Sequence, residues 1–370
     1  MTLSRLSKRL FAWLRSPFRS AQSPEAKLRG PRTHVIILDG TLSSLEDGFQ
    51  THAGVTYGLC REMGSQVSVY YEAGVQWTGW RSAVDVMTGR GINRKIRRAY
   101  GYLASRYRPG DRVMFFGYSR GAYAVRSLAG VIDRVGLLKA EHATERNILT
   151  AYRHYQLTPD TEAAAAFRRA FCHEELPIEV VGVWDTVKAL GVMLPFVRHR
   201  SALNHAFHNH ELGRSIRHGF HALALNETRR VYEPVLWTTP DGFPGRVEQV
   251  WFRGAHGDVG GQLGGFEPAR PLANIPLVWM LEQAEHCGLP LPEGWRARFY
   301  TDPDAPSVGT WRSWGKILLS RHLREVGRDA SERLHGSVRP ERFPRAAARL
   351  RGSARAEDAT PLGHGEGKLV

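Results

Sequence analysis

One stretch of the chain combines the residue types that acyl-transfer chemistry uses. The apolar run Val113-Met-Phe-Phe is typical of a buried strand, and residues 122–128 favour a helix. Between them lies Gly117-Tyr-Ser119-Arg-Gly121. Glycines two positions before and two after a serine fit a strand-to-helix turn that is too sharp for larger side chains. The pattern predicts that the Ser119 hydroxyl is exposed as a nucleophile and that the backbone N–H of Arg120 faces a developing oxyanion.

A serine hydroxyl is a weak nucleophile and needs a general base, usually a histidine whose tautomer a carboxylate fixes. Asp185 follows the apolar run 178–184, and His256 lies in a glycine-rich loop after the apolar residues 247–252. The order Ser, Asp, His is that of α/β-hydrolases. We therefore expect Ser119 to attack an ester carbonyl, His256 to accept and return the proton, and Asp185 to hold His256.

Alternatives remain for both carboxylates near this histidine. Asp185 is also suited to cap the turn that follows it. Asp258, two residues after His256, would be another orienting carboxylate. Its place in the glycine-rich loop favours a role in shaping that loop through backbone N–H groups.

A second oxyanion donor is expected from the loop after an early strand. Asp39-Gly40-Thr41 follows the apolar run 33–38. A backbone N–H of Gly40 or Thr41 directed into the site would serve this purpose, with Asp39 in support. An ordinary Asx turn at the end of a strand is the alternative.

The alternation of apolar runs and helical patterns predicts an α/β fold of the α/β-hydrolase kind, with a mostly parallel central sheet covered by helices on both faces. Five strands are predicted, at 33–39, 66–71, 113–118, 178–184 and 247–252. Helical patterns cover 51–63, 92–107, 122–136, 141–172 (broken by Pro159) and 271–287. A loop is expected at 74–91, and a loop followed by a helix at 190–228. Because active groups gather at the carboxyl ends of parallel strands, we expect Asp39, Ser119, Asp185 and His256 at one edge.

The charge of the chain is concentrated at its two ends. The formal net charge is +15 over 370 residues. Residues 1–32 carry +7, residues 312–355 carry +8, residues 33–311 only +2, and residues 356–370 carry −2. This predicts three regions: a basic amphipathic segment and linker over 1–32, a catalytic domain over 33–310, and a basic, helical or disordered extension over 311–370. A nearly neutral body argues against nucleic acid as a partner and for flanks that meet an anionic surface.

Residues 1–20 have the pattern of a helix lying on anionic lipid, with leucines and Trp13 on one face and Arg and Lys on the other. A transit peptide, a helix packed on the protein itself and a disordered basic tail are alternatives. Charges interrupt every apolar run that would make a signal peptide, and no run spans a membrane. We expect a cytoplasmic or peripheral membrane location, with a type VI-like secretion route left open.

The sequence gives little support for a cofactor or metal. Cys60, Cys172 and Cys287 are isolated, which argues against a disulfide framework or a zinc site. The glycines of 257–265 lack the ending of a phosphate-binding loop. We therefore expect no cofactor and no metal. A metal-dependent phosphoesterase is an alternative. Its metal ligands would be Asp39, Asp185, His256 and Asp258.

Four motifs follow one another along the chain: Asp39-Gly-Thr41, Gly117-Tyr-Ser-Arg-Gly-Ala-Tyr123 with Arg126, Gly182-Val-Trp-Asp-Thr-Val187, and His256-Gly-Asp-Val-Gly-Gly261. Together they resemble the catalytic domain of bacterial type VI secretion phospholipase effectors. The resemblance implies an α/β-hydrolase fold, a triad of Ser119, Asp185 and His256, and hydrolysis of acyl esters with phospholipids as a substrate class. A non-catalytic protein that keeps this fold and binds lipid is the alternative from another class.

Overall fold

The computed structural model describes residues 29–74, 90–187, 212–312 and 320–350. Within them a single parallel sheet has seven strands in the order β2-β1-β3-β4-β5-β6-β7. The strands are β1 Thr33–Leu38, β2 Val67–Glu72, β3 Arg112–Tyr118, β4 Ile178–Trp184, β5 Ile216–Ala224, β6 Arg246–Phe252 and β7 Glu332–Leu334. The predicted parallel α/β sheet is confirmed, and all five predicted strands are present.

Buried apolar residues on both faces of the strands explain why the sheet is parallel and fully covered. In β1, Val35 and Ile37 belong to one apolar cluster, whereas Ile36 and Leu38 belong to another on the opposite face. All four side chains are fully buried. Each face of the sheet therefore needs its own layer of helices.

Helices supply both layers, as predicted. They are α1 His52–Glu62, α2 Arg90–Ala104, α3 Arg120–Val135, α4 Glu145–Leu157, α5 Glu162–Phe171, α6 His256–Gly260 and α7 Arg270–His286. Residues of α2 to α5 pack with Ile36 and Leu38. Residues of α1, α6 and α7 pack with Val35 and Ile37. Threonine side chains at Thr51, Thr144 and Thr161 accept a backbone hydrogen bond at the starts of α1, α4 and α5.

The strand order creates a crevice next to β1. The chain passes from β1 to β2 on one side and then to β3 on the other side. At such a switch point the loops after two neighbouring strands diverge, which leaves room for a ligand at their carboxyl ends. The loop that starts at Asp39 and the turn at Ser119 border this crevice.

Strand β5 differs from the sequence prediction, which had a helix in residues 190–228. Residues 216–224 instead bond in parallel to β4 on one side and to β6 on the other. Phe220, Ala222, Leu223 and Ala224 are fully buried there. The helix-favouring composition of His-Ala-Leu-Ala is overridden because the segment fills a central position in the sheet.

The C-terminal region contributes a strand of the sheet, whereas the sequence predicted a basic, helical or disordered extension over residues 311–370. Strand β7 pairs with β6, joining Gln249 to Glu332 and Trp251 to Leu334. Val326 packs with Leu223 and Trp251 in a separate apolar cluster. A strand of three residues with few apolar neighbours in the sequence is too short to show an alternation of apolar and polar residues. The local sequence therefore does not reveal β7.

Several predictions concern residues that the structure leaves undescribed. The lipid-facing segment 1–20, most of the loop 74–91, residues 190–211 and the tail beyond 350 all lie outside the described residues. Among the residues that are described, no helix has the length and apolar character needed to cross a membrane.

The Glu332 side chain in β7 forms hydrogen bonds that hold this strand against β6. One carboxylate oxygen accepts from the indole N–H of Trp251 at 2.8 Å. The two oxygens also accept from three successive backbone N–H groups, those of Gly327, Arg328 and Asp329. Glu332 and the indole of Trp251 are both buried, so water cannot readily replace the bond between them.

We expect Glu332→Ala to lower the free energy of unfolding by about 3 kcal/mol, because the buried Trp251 indole and three partly buried backbone N–H groups lose their acceptor. Urea denaturation measures this loss. The exposed Glu341 provides the control, and Glu341→Ala is expected to stay within about 0.5 kcal/mol of wild type. Equal stability of the two variants would contradict the role given to Glu332.

Candidate active site

Ser119 lies in a strained turn between β3 and α3. Its backbone has φ 57° and ψ −120°, a conformation that non-glycine residues rarely adopt. The flanking glycines make the turn possible. A Cβ on Gly117 would lie 2.8 Å from the backbone of Ala122, and one on Gly121 would lie 2.0 Å from the carbonyl oxygen of Leu38. The two glycines therefore have the steric role that the motif predicts.

His256 begins α6 and connects the serine to a carboxylate. Its Nε2 lies 2.9 Å from Ser119 Oγ, and its Nδ1 lies 2.5 Å from Asp185 Oδ2. A carboxylate can only accept, so Nδ1 carries the proton and Nε2 of the neutral ring is free to accept from the hydroxyl. The structure thus brings together three residues that are 137 and 71 positions apart along the chain.

Asp185 directly follows β4 and is completely buried. Its Oδ1 accepts from the backbone N–H of Ala224 at 3.0 Å, and Arg324 bonds both carboxylate oxygens at 2.5 and 2.8 Å. Burial alone would raise the pKa of Asp185. The charge and hydrogen bonds of Arg324, together with the His256 contact, outweigh burial and hold that pKa below its usual range. The carboxylate is therefore ionised wherever the protein is folded near neutral pH.

Two tyrosine rings enclose the imidazole of His256. Tyr232 stacks on it with ring centroids 4.6 Å apart and planes 13° apart, and Tyr118 packs at 4.9 Å and 30°. The Arg229 guanidinium lies 4.4 Å from the Tyr232 ring centroid. The imidazole is thus held in one orientation by packing as well as by hydrogen bonds.

Glu227 fixes the start of α6. Its Oε2 accepts from the backbone N–H of His256 at 3.1 Å, and its two oxygens form a forked pair with Arg229 at 2.8 and 2.7 Å. Burial would raise the pKa of Glu227, but the Arg229 contacts outweigh it and lower that pKa. An ionised carboxylate next to the first turn of a helix is favourable.

The Asp39 loop partly contradicts the prediction for the second oxyanion donor. The Gly40 N–H donates to Asp39 Oδ1 at 2.6 Å, so it is already engaged. Asp39 Oδ2 accepts from the hydroxyls of Thr51 at 2.6 Å and Tyr71 at 2.7 Å. Burial raises the pKa of Asp39. This contact engages one of the two donors predicted in this loop; the N–H of Thr41 is the other.

Asp258, within α6, joins the residue that precedes this helix to a segment after α7. Its oxygens accept from the backbone N–H groups of Ala255 and Val308, both at 2.8 Å, and from the Ser307 hydroxyl at 2.5 Å. Asp258 makes these loop contacts in place of a bond to the imidazole, which Asp185 makes. In the described ranges no three His, Cys, Asp or Glu side chains converge in a group that could hold a metal ion.

Sequence reasoning missed three residues that contact the serine, histidine and aspartate cluster: Glu227, Tyr232 and Arg324. None belongs to a recognisable motif, and Arg324 lies in the basic segment interpreted as an extension. The pairing of Glu227 with Arg229 two residues later is the only local signal, and such charge pairs are common on surfaces. Their role depends on contacts across the fold.

The chain matches the family model for the type VI secretion system phospholipase effector, Tle1-like, catalytic domain over residues 32–283. This confirms the resemblance drawn from the four motifs. The uncharacterized protein YEL023C of Saccharomyces cerevisiae is 26% identical over 243 residues, covering 58% of this chain and 34% of that protein. The chain thus spans about a third of the length of this curated relative.

Two solved structures are similar at low identity. An uncharacterized protein from Pseudomonas aeruginosa is 14% identical, with a TM-score of 0.40, and the match covers 97% of this chain and 62% of that chain. The Tle1 effector bound to the VgrG spike of the type 6 secretion system is 17% identical, with a TM-score of 0.28, over 63% of this chain and 51% of that chain.

We expect Gly121→Ala to lower the free energy of unfolding by about 3 kcal/mol, because the added methyl group overlaps the backbone of β1. Gly58→Ala, in open space on α1, is the matched control and should gain about 0.5 to 1 kcal/mol from helix propensity. Urea denaturation of both variants measures the difference. A Gly121→Ala protein as stable as wild type would show that the turn tolerates a side chain.

Proposed function

The chain belongs to the family of type VI secretion phospholipase effectors with a Tle1-like catalytic domain, a family of hydrolases, and we propose that it cleaves carboxylic esters of lipids through an acyl-enzyme on Ser119. The observation that carries the proposal is the continuous hydrogen-bonded series from Ser119 Oγ through His256 to Asp185. This is the geometry that activates a serine hydroxyl for attack on a carbonyl.

The reaction proceeds in two halves. Ser119 Oγ attacks the ester carbonyl while His256 Nε2 takes the hydroxyl proton, and the resulting imidazolium returns that proton to the departing alcohol. Water then attacks the acyl-enzyme with His256 again as the base, which releases the fatty acid and regenerates Ser119. Asp185 keeps the Nδ1 proton in place and stabilises the imidazolium in both halves.

The oxyanion of each tetrahedral intermediate lies between two loops. The backbone N–H of Arg120, at the start of α3, is the first donor, and the N–H of Thr41 is the second. The position of the Asp39 loop beside the Ser119 turn supports this assignment, since a Cβ on Gly40 would lie 3.3 Å from the Cβ of Ser119. Preorganised donors of this kind contribute a large share of the rate enhancement in acyl transfer.

Lipid is the substrate class that the family implies, and phospholipid is our specific proposal. The basic residues 1–20 and the basic C-terminal region would add attraction to an anionic membrane surface, as their charge suggests. Vesicles that bind the protein without being hydrolysed would favour the non-catalytic lipid-binding alternative.

We expect a fluorophosphonate probe to label the wild-type protein and to leave Ser119→Ala unlabelled, because the probe reacts only with an activated serine. Ser127→Ala is the matched control, since this buried serine of α3 donates its hydroxyl to a backbone carbonyl within its own helix. It should be labelled like wild type. Equal labelling of Ser119→Ala and wild type would end the proposal.

We expect Asp185→Asn to lower kcat for p-nitrophenyl ester hydrolysis by about 10⁴-fold, because the amide presents an N–H to Nδ1 and disfavours the active tautomer. Rates on esters of increasing acyl length, followed by phospholipid vesicles, identify the preferred chain.

Activity should persist in EDTA. Loss of activity on chelation would instead support the metal-dependent interpretation.

A further inference from the structure

Arg324 is the charged partner of the triad aspartate and comes from outside the family match. It lies beyond residue 283, where the matched region ends. Its side chain is 2% exposed, and its two terminal nitrogens bond Asp185 Oδ1 and Oδ2 at 2.5 and 2.8 Å. The forked guanidinium matches the two oxygens of one carboxylate, an arrangement that a lysine cannot reproduce.

Backbone carbonyls at two further points hold the guanidinium in this position. Arg324 donates to the carbonyl oxygen of Ala224 at 2.9 Å and to that of Tyr232 at 2.5 Å. Ala224 is the last residue of β5, and Tyr232 is the residue whose ring stacks on His256. Arg324 therefore ties the Asp185 carboxylate to the end of β5 and to the segment that carries Tyr232.

The imidazole of His256 is surrounded by a mixed set of titratable and charged groups. They are Asp185 after β4, Tyr118 at the end of β3, Glu227, Arg229 and Tyr232 in the segment after β5, Asp258 on α6 itself, and Arg324. Glu227 is paired with Arg229, and Asp258 is bonded to loop donors. Arg324 is thus the cation that acts on the one carboxylate in direct contact with the ring.

We propose, on the basis of the proposed hydrolase function, that Arg324 is a positioning residue that directs the Asp185 carboxylate towards His256 and offsets its charge. Bidentate pairing with Arg324 holds the Asp185 carboxylate in one orientation. The hydrogen bond from Nδ1–H to this carboxylate then orients the imidazole so that the lone pair of Nε2 points at the Ser119 hydroxyl. Offsetting the charge limits how strongly Asp185 stabilises the imidazolium. Arg324 thus weakens the attraction between the Asp185 carboxylate and a protonated imidazole.

The two effects separate in a pH profile of kcat/KM. Arg324→Gln removes both the charge and the fork, so the imidazole gains a proton more readily. The acid limb is expected to move up by about one pH unit, while the plateau falls by about 10²-fold through lost orientation. Arg324→Lys keeps the charge without the fork. It should lower the plateau and leave the acid limb where wild type has it.

The matched control is Arg328→Gln, which removes a guanidinium four residues away that pairs with Glu325 on the surface. It should reproduce the wild-type profile in both plateau and acid limb. Thermal melting of all three variants at neutral pH identifies those that fold. If Arg324→Gln does not fold, the test depends on the plateau value of kcat/KM for Arg324→Lys. A plateau equal to that of wild type in this variant overturns the orientation role of Arg324.

A second readout does not require turnover. In a Ser119→Ala background, the ¹⁵N NMR titration of His256 should show a midpoint about one pH unit higher with Arg324→Gln than without it. An unchanged midpoint together with an unchanged acid limb overturns the charge role of Arg324. If wild type neither turns over esters nor reacts with the probe, the hydrolase proposal fails, while the NMR titration still decides the effect of Arg324 on His256.

Discussion

The buried negative charge of Asp185 is the constraint on which this edge of the sheet depends. A fully buried carboxylate without partners would be strongly destabilising. Here its partners come from three places far apart in sequence, namely the end of β5 at Ala224, the first residue of α6 at His256, and Arg324. The core of the site can therefore form only when β4, β5, α6 and the segment around residue 324 have folded together.

The same edge stores backbone strain at two of the three residues of the cluster. Ser119 has φ 57° and Asp185 has φ 42°, and both follow central strands of the sheet. Such backbone conformations persist because several surrounding contacts hold them in place. The Ser119 N–H donates to the carbonyl of Trp184 at 3.0 Å, and the Asp185 N–H donates to that of Ala222 at 2.8 Å. The sheet ladder thus extends one residue beyond the strands and fixes the two side chains relative to each other.

The side chain and backbone of His256 are each held by several contacts. Aromatic rings pack against the imidazole, Glu227 holds its backbone, and Asp185 holds Nδ1. A ring that is preorganised in this way would lose little freedom in the proposed proton transfer. Arg324 pairs with Asp185, and Arg229 pairs with Glu227. These pairings hold the pKa of each carboxyl group below its usual range.

The sequence by itself determined the parts of this protein that short-range patterns encode. Apolar runs next to glycine-rich turns revealed five strands, the turn at Ser119 and the order of Asp185 and His256, because strand burial and turn sterics act over a few residues. Only the tertiary structure decided that residues 216–224 form a strand, that Glu332 joins β7 to the sheet, that the Gly40 N–H is engaged by Asp39, and that Arg324 pairs with Asp185. These features depend on which groups meet across the fold. The energy of a buried hydrogen bond or ion pair is set by its partner and by its exclusion from water, and the neighbouring residues in the sequence determine neither of them.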